Sequence, residues 1–193
     1  MMTDAISRLY DAYCPAGTRR RHILETHSRN VARLALELNS RLAVPLDRDT
    51  VRAAALLHDI GIFLTNAPSI DCYGDCSYIQ HGTLGADLLR RHGFAEELAR
   101  VAERHTGAGI SPDDIREQHL PLPSDRDLMP HTTLELLICY ADKFFSKSRS
   151  LDLKPAERVL RSIEVLGPAA MTRFHRMQDL FGIPKAYSHG NPE

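Results

Sequence analysis

The feature that most limits how this chain can fold is a set of apolar stripes at helical spacing, each interrupted by one polar side chain. Ile23, His27, Val31, Leu34 and Leu38 fall at i, i+4, i+8, i+11 and i+15, the spacing of a single helix face. Val51, Ala55, His58 and Ile62 repeat the pattern, as do His81, Leu84/Gly85 and Leu88. Leu98, Val101/Ala102 and His105 make a fourth stripe, and Leu134, Ile138, Asp142 and Phe145 a fifth. No segment alternates convincingly with the period of two that a half-buried strand shows, so the sequence predicts an all-α fold. An apolar stripe is the face that a helix buries, and in each of these a histidine or aspartate stands where a core residue belongs. Buried polar groups are costly unless they are paired.

The boundaries follow from caps and breakers. Thr3 is placed to cap a short first helix that stops before Cys14-Pro15-Ala16-Gly17, and Thr18 opens a long one to about Leu42. Pro45-Leu46-Asp47 starts the next. Helices are then expected over Tyr78–His92, with Gly93 as the stop, and over Ala95–His105, closed by Gly107. Ser111-Pro112-Asp113-Asp114 begins a short helix, Leu120–Pro130 is an irregular connection, and Thr132-x-x-Glu135 is a capping box for the Asp142 helix. Pro155 opens a helix closed by Gly167-Pro168, and a last one runs to Gly182; residues 154–182 read as scaffold and the tail from Ile183 as loose. The turn-rich stretch Thr65–Ser77 lies between two polar-bearing helices and should hang over whatever site they form. Its Cys72-x-x-x-Cys76 spacing lacks the second Cys/His pair that a four-ligand zinc site needs, and it reads as a surface loop.

At 193 residues the chain is long enough for one well-buried core and short for two domains. One domain over residues 1–193 is expected, with its functional core at about 18–150. A net charge of −1 leaves no electrostatic footprint for nucleic acid or an anionic membrane. Arg19-Arg20-Arg21 and Arg90-Arg91 read as solvated helix faces. No apolar run approaches the length of a bilayer span, and Met1-Met2-Thr3-Asp4 shows no signal peptide. Cys14, Cys72, Cys76 and Cys139 have no framework spacing and point to a reducing compartment, so a cytoplasmic protein is expected.

Five helices bringing misplaced polar groups to one core need a common partner, and shared metal coordination supplies it. Imidazole and carboxylate without thiolate suit Fe, Mn, Zn or Co. Six such ligands, His27, His58, Asp59, His81, His105 and Asp142, exceed what a mononuclear catalytic site uses while keeping an open position, which favours two ions. Gly61, just after the adjacent His58 and Asp59, is free to take positive φ or to allow a close approach.

The order H…HD…H…H…D, with His58-Asp59-Ile60-Gly61, resembles the HD superfamily of metal-dependent phosphohydrolases in its HDIG variant, from about His27 to Lys147. The resemblance implies an HD-domain helical bundle with its metal site in the core. His27, His58, Asp59 and Asp142 would hold one divalent ion, His81 and His105 the other, with the Asp59 carboxylate as the catalytic bridge. Fe or Mn is expected, with Zn, Co or Ni also suited. A bridging water would be deprotonated near neutral pH and would cleave a phosphoester or phosphoanhydride of a small metabolite or nucleotide. Lys143 is the first candidate to meet the substrate phosphate, followed by Lys147, Arg149 and Arg104. One departure is Ile62, where a lysine often follows the HDIG glycine in that family.

The His105-Thr106-Gly107 and Tyr140-Ala141-Asp142-Lys143 elements are similar to two groups: bacterial HD hydrolases that split diadenosine tetraphosphate, and small HDIG proteins with no assigned substrate. The Leu120–Pro123 stretch and the Cys72–Cys76 loop lean toward the second. The same six-ligand order also serves HD-type mixed-valent diiron oxygenases acting on a small polyol or organophosphonate; the ending at Lys143 is closer to the hydrolases. Expected partners are therefore a small phosphorylated molecule or nucleotide and a second copy in a homodimer, with no nucleic acid and no membrane.

Overall fold

The computed structural model describes residues 4–147 and 152–188. Helix α2 (Arg19–Asn39) is its spine: the Thr18 side chain accepts from Arg21 N to start it, and the stripe from Ile23 to Leu38 is buried along its length. Helix α3 (Arg48–Leu57), capped by Asp47 accepting from Thr50 N, packs on one side of α2, and α7 (Thr133–Asp142) packs on another. The Thr132/Glu135 capping box of α7 is present as expected. Helices α4 (His81–Arg91) and α5 (Glu96–Arg104) pack on each other across a turn in which Gly93 takes φ 72. Helix α1 (Asp4–Tyr13) docks through Tyr10, fully buried, whose hydroxyl donates to Leu56 O. Short α6 (Pro112–Glu117), then α8 (Ala156–Glu164), α9 (Pro168–Phe181) and α10 (Lys185–Ser188) complete the described helices.

Two apolar clusters form the core. One gathers Leu34, Leu38, Val51, Ile138, Tyr140 and Phe174; the other gathers Tyr10, Leu24, Leu57, Ile60, Leu88 and Ala102. Helices α2, α3 and α5 contribute to both. Among the described residues no helix is long and apolar enough to cross a membrane.

The differences from the sequence reading have local causes. Helix α3 stops at Leu57, so His58, Asp59 and Gly61 form a turn, followed by a 3₁₀ turn at Ile62–Leu64. The stretch expected to be strandless holds a small antiparallel ribbon, β1 (Asn66–Ala67) with β2 (Cys72–Tyr73), turned by Asp71 at φ 62. Strands of two residues are too short to show a period of two. Cys72 is buried there, so this loop is folded rather than merely exposed. Tyr78–Gln80 is a 3₁₀ turn that precedes α4 instead of its first α-turn. Arg21 is buried, not solvated: it pairs with Asp11 and Glu25 and donates to Cys14 O. Residues 183–188 of the tail are structured, with α10 and with the Tyr187 hydroxyl donating to Lys154 O. Thr3 and Arg149 lie outside the described residues.

Gly61 explains how the site is assembled. Its φ is −86, so a left-handed conformation is not what requires it. A Cβ there would sit 2.2 Å from His81 O and 2.5 Å from Gly85 N. The first turn of α4 therefore lies directly on the backbone after Asp59, bringing His81 to that carboxylate. Gly61→Ala is expected to destabilise the fold by about 2–3 kcal/mol through this overpacking. Urea unfolding checks it, and a loss within error of zero would contradict the contact.

Candidate metal centre

Of the six polar groups predicted to converge, only His27 sits within the body of a helix. His58 and Asp59 follow the last residue of α3, His81 is the first of α4, His105 follows α5, and Asp142 is the last of α7. C-terminal helix ends leave backbone carbonyls without intrahelical partners, and His58 and His105 use carbonyls of this kind, while His81 uses that of Tyr78 in the 3₁₀ turn before α4. His58 Nδ1–H donates to Ala55 O at 2.7 Å, His81 to Tyr78 O at 2.7 Å and His105 to Ala102 O at 2.8 Å. Each bond spans three residues, fixes the proton on Nδ1 and turns the Nε2 lone pair inward.

The inward atoms meet around Asp59. Its Oδ2 lies 3.2 Å from His27 Nε2 and 3.2 Å from His58 Nε2. Asp142 Oδ1 closes this half at 2.9 Å from His27 Nε2 and 3.4 Å from His58 Nε2. The other oxygen, Oδ1, is 3.5 Å from His81 Nε2 and 3.4 Å from His105 Nε2, which are 3.0 Å apart. All six residues are buried. One carboxylate is thus shared between two groups of donors, His27, His58, Asp59 and Asp142 on one side and Asp59, His81 and His105 on the other.

These residues fit metal ions. Two donors about 2.1 Å from a common ion are about 3.0 Å apart at a right angle and about 3.4 Å apart at the tetrahedral angle, which is the spacing found. Among the described residues neither Asp59 oxygen has a hydrogen bond, although both are buried; a carboxylate so placed requires cations. Lys147 Nζ comes within 2.8 Å of Oδ2, but outside hydrogen-bonding geometry.

Charge follows from the same packing. Burial opposes ionisation of Asp59, yet His58 and Lys147 hold its carboxyl well below the usual range. Burial also opposes protonation of His58, but the neighbouring Asp59 and Asp142 carboxylates raise it to about 9. Burial, with His105 alongside, pushes His81 down to about 3, and burial lowers His105 too. Without metal, one half of the centre carries a proton and the other half is neutral imidazole.

A cavity of about 580 Å³ opens beside His81, His105 and Asp142. The ribbon overhangs it through Asn66, Ala67 and Ile70, as the position of that loop in the sequence suggested. Lys143 and Lys147 line it; Lys143 Nζ is 2.8 Å from Asp142 Oδ2 and Lys147 Nζ 3.2 Å from Tyr78 OH. Arg104 does not line it. Its guanidinium bonds Glu135 Oε2 at 3.0 Å and Asp127 O at 3.0 Å, tying the 127–131 connection to the start of α7. Three features escaped the sequence reading. Tyr78 stacks on His81 at 4.7 Å between centroids, Lys154 joins the wall, and Ile163 of α8 with Leu166 just beyond it forms an apolar side, so this region is more than scaffold. Tyr78 had a signal, standing three residues before a ligand-type histidine; Lys154 had none.

The family described as HD domain matches residues 24–146. An uncharacterised protein of Methanocaldococcus jannaschii is 35% identical over 120 residues, 62% of either chain. Two proteins named tRNA (cytidine(56)-2'-O)-methyltransferase also match. That of Picrophilus torridus is 34% identical over 66% of this chain and 33% of its own length. That of Thermoplasma volcanium is 32% identical over 68% and 34%. The chain thus spans about a third of each methyltransferase. Among solved structures, the HD domain of L. monocytogenes phosphodiesterase PgpH aligns over 95% of this chain and 91% of its own, with TM-score 0.57 at 16% identity. The same domain in complex with cyclic-di-AMP gives TM-score 0.54 at 14% identity, over 97% and 99%. At these identities the likeness is one of fold.

Because His58 holds its proton up to about 9, an ion entering this half at pH 7.5 must displace it. Titrating Mn²⁺ into metal-free protein in buffers of different ionisation enthalpy should show about one proton released. Affinity should rise by up to about tenfold per pH unit toward that value and flatten above it. Binding with no proton release would contradict the charge state.

Proposed function

The chain belongs to the HD domain family of metal-dependent phosphohydrolases, and on that premise we propose that it hydrolyses a phosphoester or phosphoanhydride bond of a small metabolite or nucleotide. In this reading His27, His58, Asp59 and Asp142 would hold one divalent ion and His81 and His105 a second, with the Asp59 carboxylate shared between the two groups. The observation that carries it is the division of the Asp59 carboxylate, one oxygen toward each donor group. Oxygen and nitrogen donors without thiolate suit Fe, Mn, Zn or Co, and of these the resemblance to HD phosphohydrolases favours Fe or Mn. When bound, such ions supply Lewis acidity and make a water acidic enough to act as nucleophile near neutral pH.

The chain's own residues do the rest. The Nδ1 anchors hold three imidazoles in one tautomer and one direction, so the site is organised before substrate arrives. Lys143 and Lys147 present ammonium groups at the cavity wall, where they stabilise phosphoryl oxygens as charge builds. The ribbon on one side and Ile163 with Leu166 on the other narrow the approach. A nucleotide is supported by the cyclic-di-AMP complex of the PgpH domain. The methyltransferase activity named for two relatives is not carried over from a match covering a third of their length.

Elemental analysis should find two ions per chain, none in Asp59→Ala, and the first retained in His105→Ala. Two ions retained in Asp59→Ala would refute the bridge. In a screen of phosphorylated metabolites and nucleotides, Mn²⁺ should support phosphate release, at the same rate after oxygen is removed. His27→Ala and Asp142→Ala should each lower that rate by about 10²-fold or more. Strict dependence on iron and oxygen, with no phosphate released, would favour a diiron oxygenase instead.

A further inference from the structure

Three lysines reach the cavity, and two of them are already matched by carboxylates. Lys143 Nζ is 2.8 Å from Asp142 Oδ2 and Lys147 Nζ is 2.8 Å from Asp59 Oδ2. Lys154 differs. Its Nζ donates to Lys143 O at 2.8 Å, and among the described residues it pairs with no carboxylate. An ammonium has three donors, and this one is partly buried with a single carbonyl to receive them among the described residues. Burial pushes it down to about 8, although Asp142 is near enough to act the other way.

The position is built rather than incidental. Lys154 N donates to Phe144 O at 2.8 Å, Leu153 bridges to Phe145, and the Tyr187 hydroxyl donates to Lys154 O. The chain therefore folds back after α7 and sets Lys154 beside Lys143 in the cavity wall. The hydrogen bond to Lys143 O caps the end of α7 with one of the three ammonium donors, and the other two are left for a ligand. An anion arriving in the cavity would accept from them.

We infer that the site takes a substrate carrying two phosphoryl groups, one at the Asp59 cluster and the second against Lys154. This rests on the hydrolase reading only for the placement of the first group. A cavity of about 580 Å³ is within the range of small-molecule sites, about 300–1,000 Å³, and holds a diphosphate with a modest organic portion. That portion has an apolar surface to meet in Ile163 and Leu166. With both ions in place the site is strongly cationic, and a diphosphate neutralises more of that charge than a monophosphate.

The test is calorimetric titration of Mn²⁺-loaded protein, freed of excess metal, with orthophosphate, pyrophosphate and phosphonoacetate. Metal content is checked after each run, and thermal melts confirm that the variants are folded. Pyrophosphate should bind the natural chain about tenfold or more tighter than either other anion, as expected for one added hydrogen bond to a charged group. Lys154→Met should bring the preference within about threefold with metal content unchanged, while Lys154→Arg, which keeps the charge, should retain most of it. The inference is overturned if the natural chain does not prefer pyrophosphate, or if phosphonoacetate binds as tightly. It is overturned as well if a folded Lys154→Arg loses the preference as fully as Lys154→Met. If the preference holds but no phosphoester is turned over, the second-phosphoryl assignment stands and the hydrolase reading fails.

Discussion

The Asp59 carboxylate is the constraint on which the rest depends. It is fully buried, it accepts no hydrogen bond from the described residues, and imidazole nitrogens surround it at 3.2–3.5 Å. Removing a carboxylate from water costs several kcal/mol even after relaxation, so the folded state carries this group only if cations balance it. Protonated His58 and the Lys147 ammonium do so in part. Divalent ions would do so fully, and metal binding is then coupled to the stability of the whole helical bundle. Most of the helices meet at their ends around this point, where backbone carbonyls three residues upstream orient His58, His81 and His105.

Close backbone packing makes that meeting possible. Gly61 and Gly85 lie face to face, and a side chain at residue 61 would enter the first turn of α4. The histidine at the start of that helix is thus carried to Asp59 by a contact between two backbones. Arg173 gives similar support on the far side, donating to Ala108 O and Gly109 O and pairing with Asp114, which fixes the turn that follows His105. The tyrosine and lysines around the centre then act on a frame already fixed by main-chain contacts.

What the sequence disclosed, and what it hid, divides along the same physical line. The stripes of α2 and α7, the Thr18 and Thr132 caps and the ordered histidines and aspartates are local patterns, and the structure places all six side chains together. Spacing could not say that most of them occupy helix ends, since a helix and the turn after it share a period over a few residues. The ribbon at Asn66–Tyr73 was invisible because its strands are two residues each. Arg21 looked solvated because its partners come from another helix as well as its own. Arg104 was a plausible phosphate contact until Glu135, also engaged in the capping box, claimed it. Lys154 depends on Phe144, Lys143 and Tyr187, and no local pattern joins those positions.

This division separates chemistry from selectivity along the chain. The donors around Asp59 run from His27 to Asp142, and all fall within the residues 24–146 that match the HD domain family. Lys154, Ile163 and Leu166 lie beyond residue 146, yet they close the same cavity. A centre that depends on buried carboxylate and imidazole geometry tolerates little change, because the donors pack within 3.5 Å of their neighbours. A wall made from a connection and one exposed-faced helix has no such constraint, and its residues can vary without disturbing Asp59. The segment after α7 is therefore where a substrate preference particular to this chain can reside, above a centre whose donors fall within the residues that match the HD domain family.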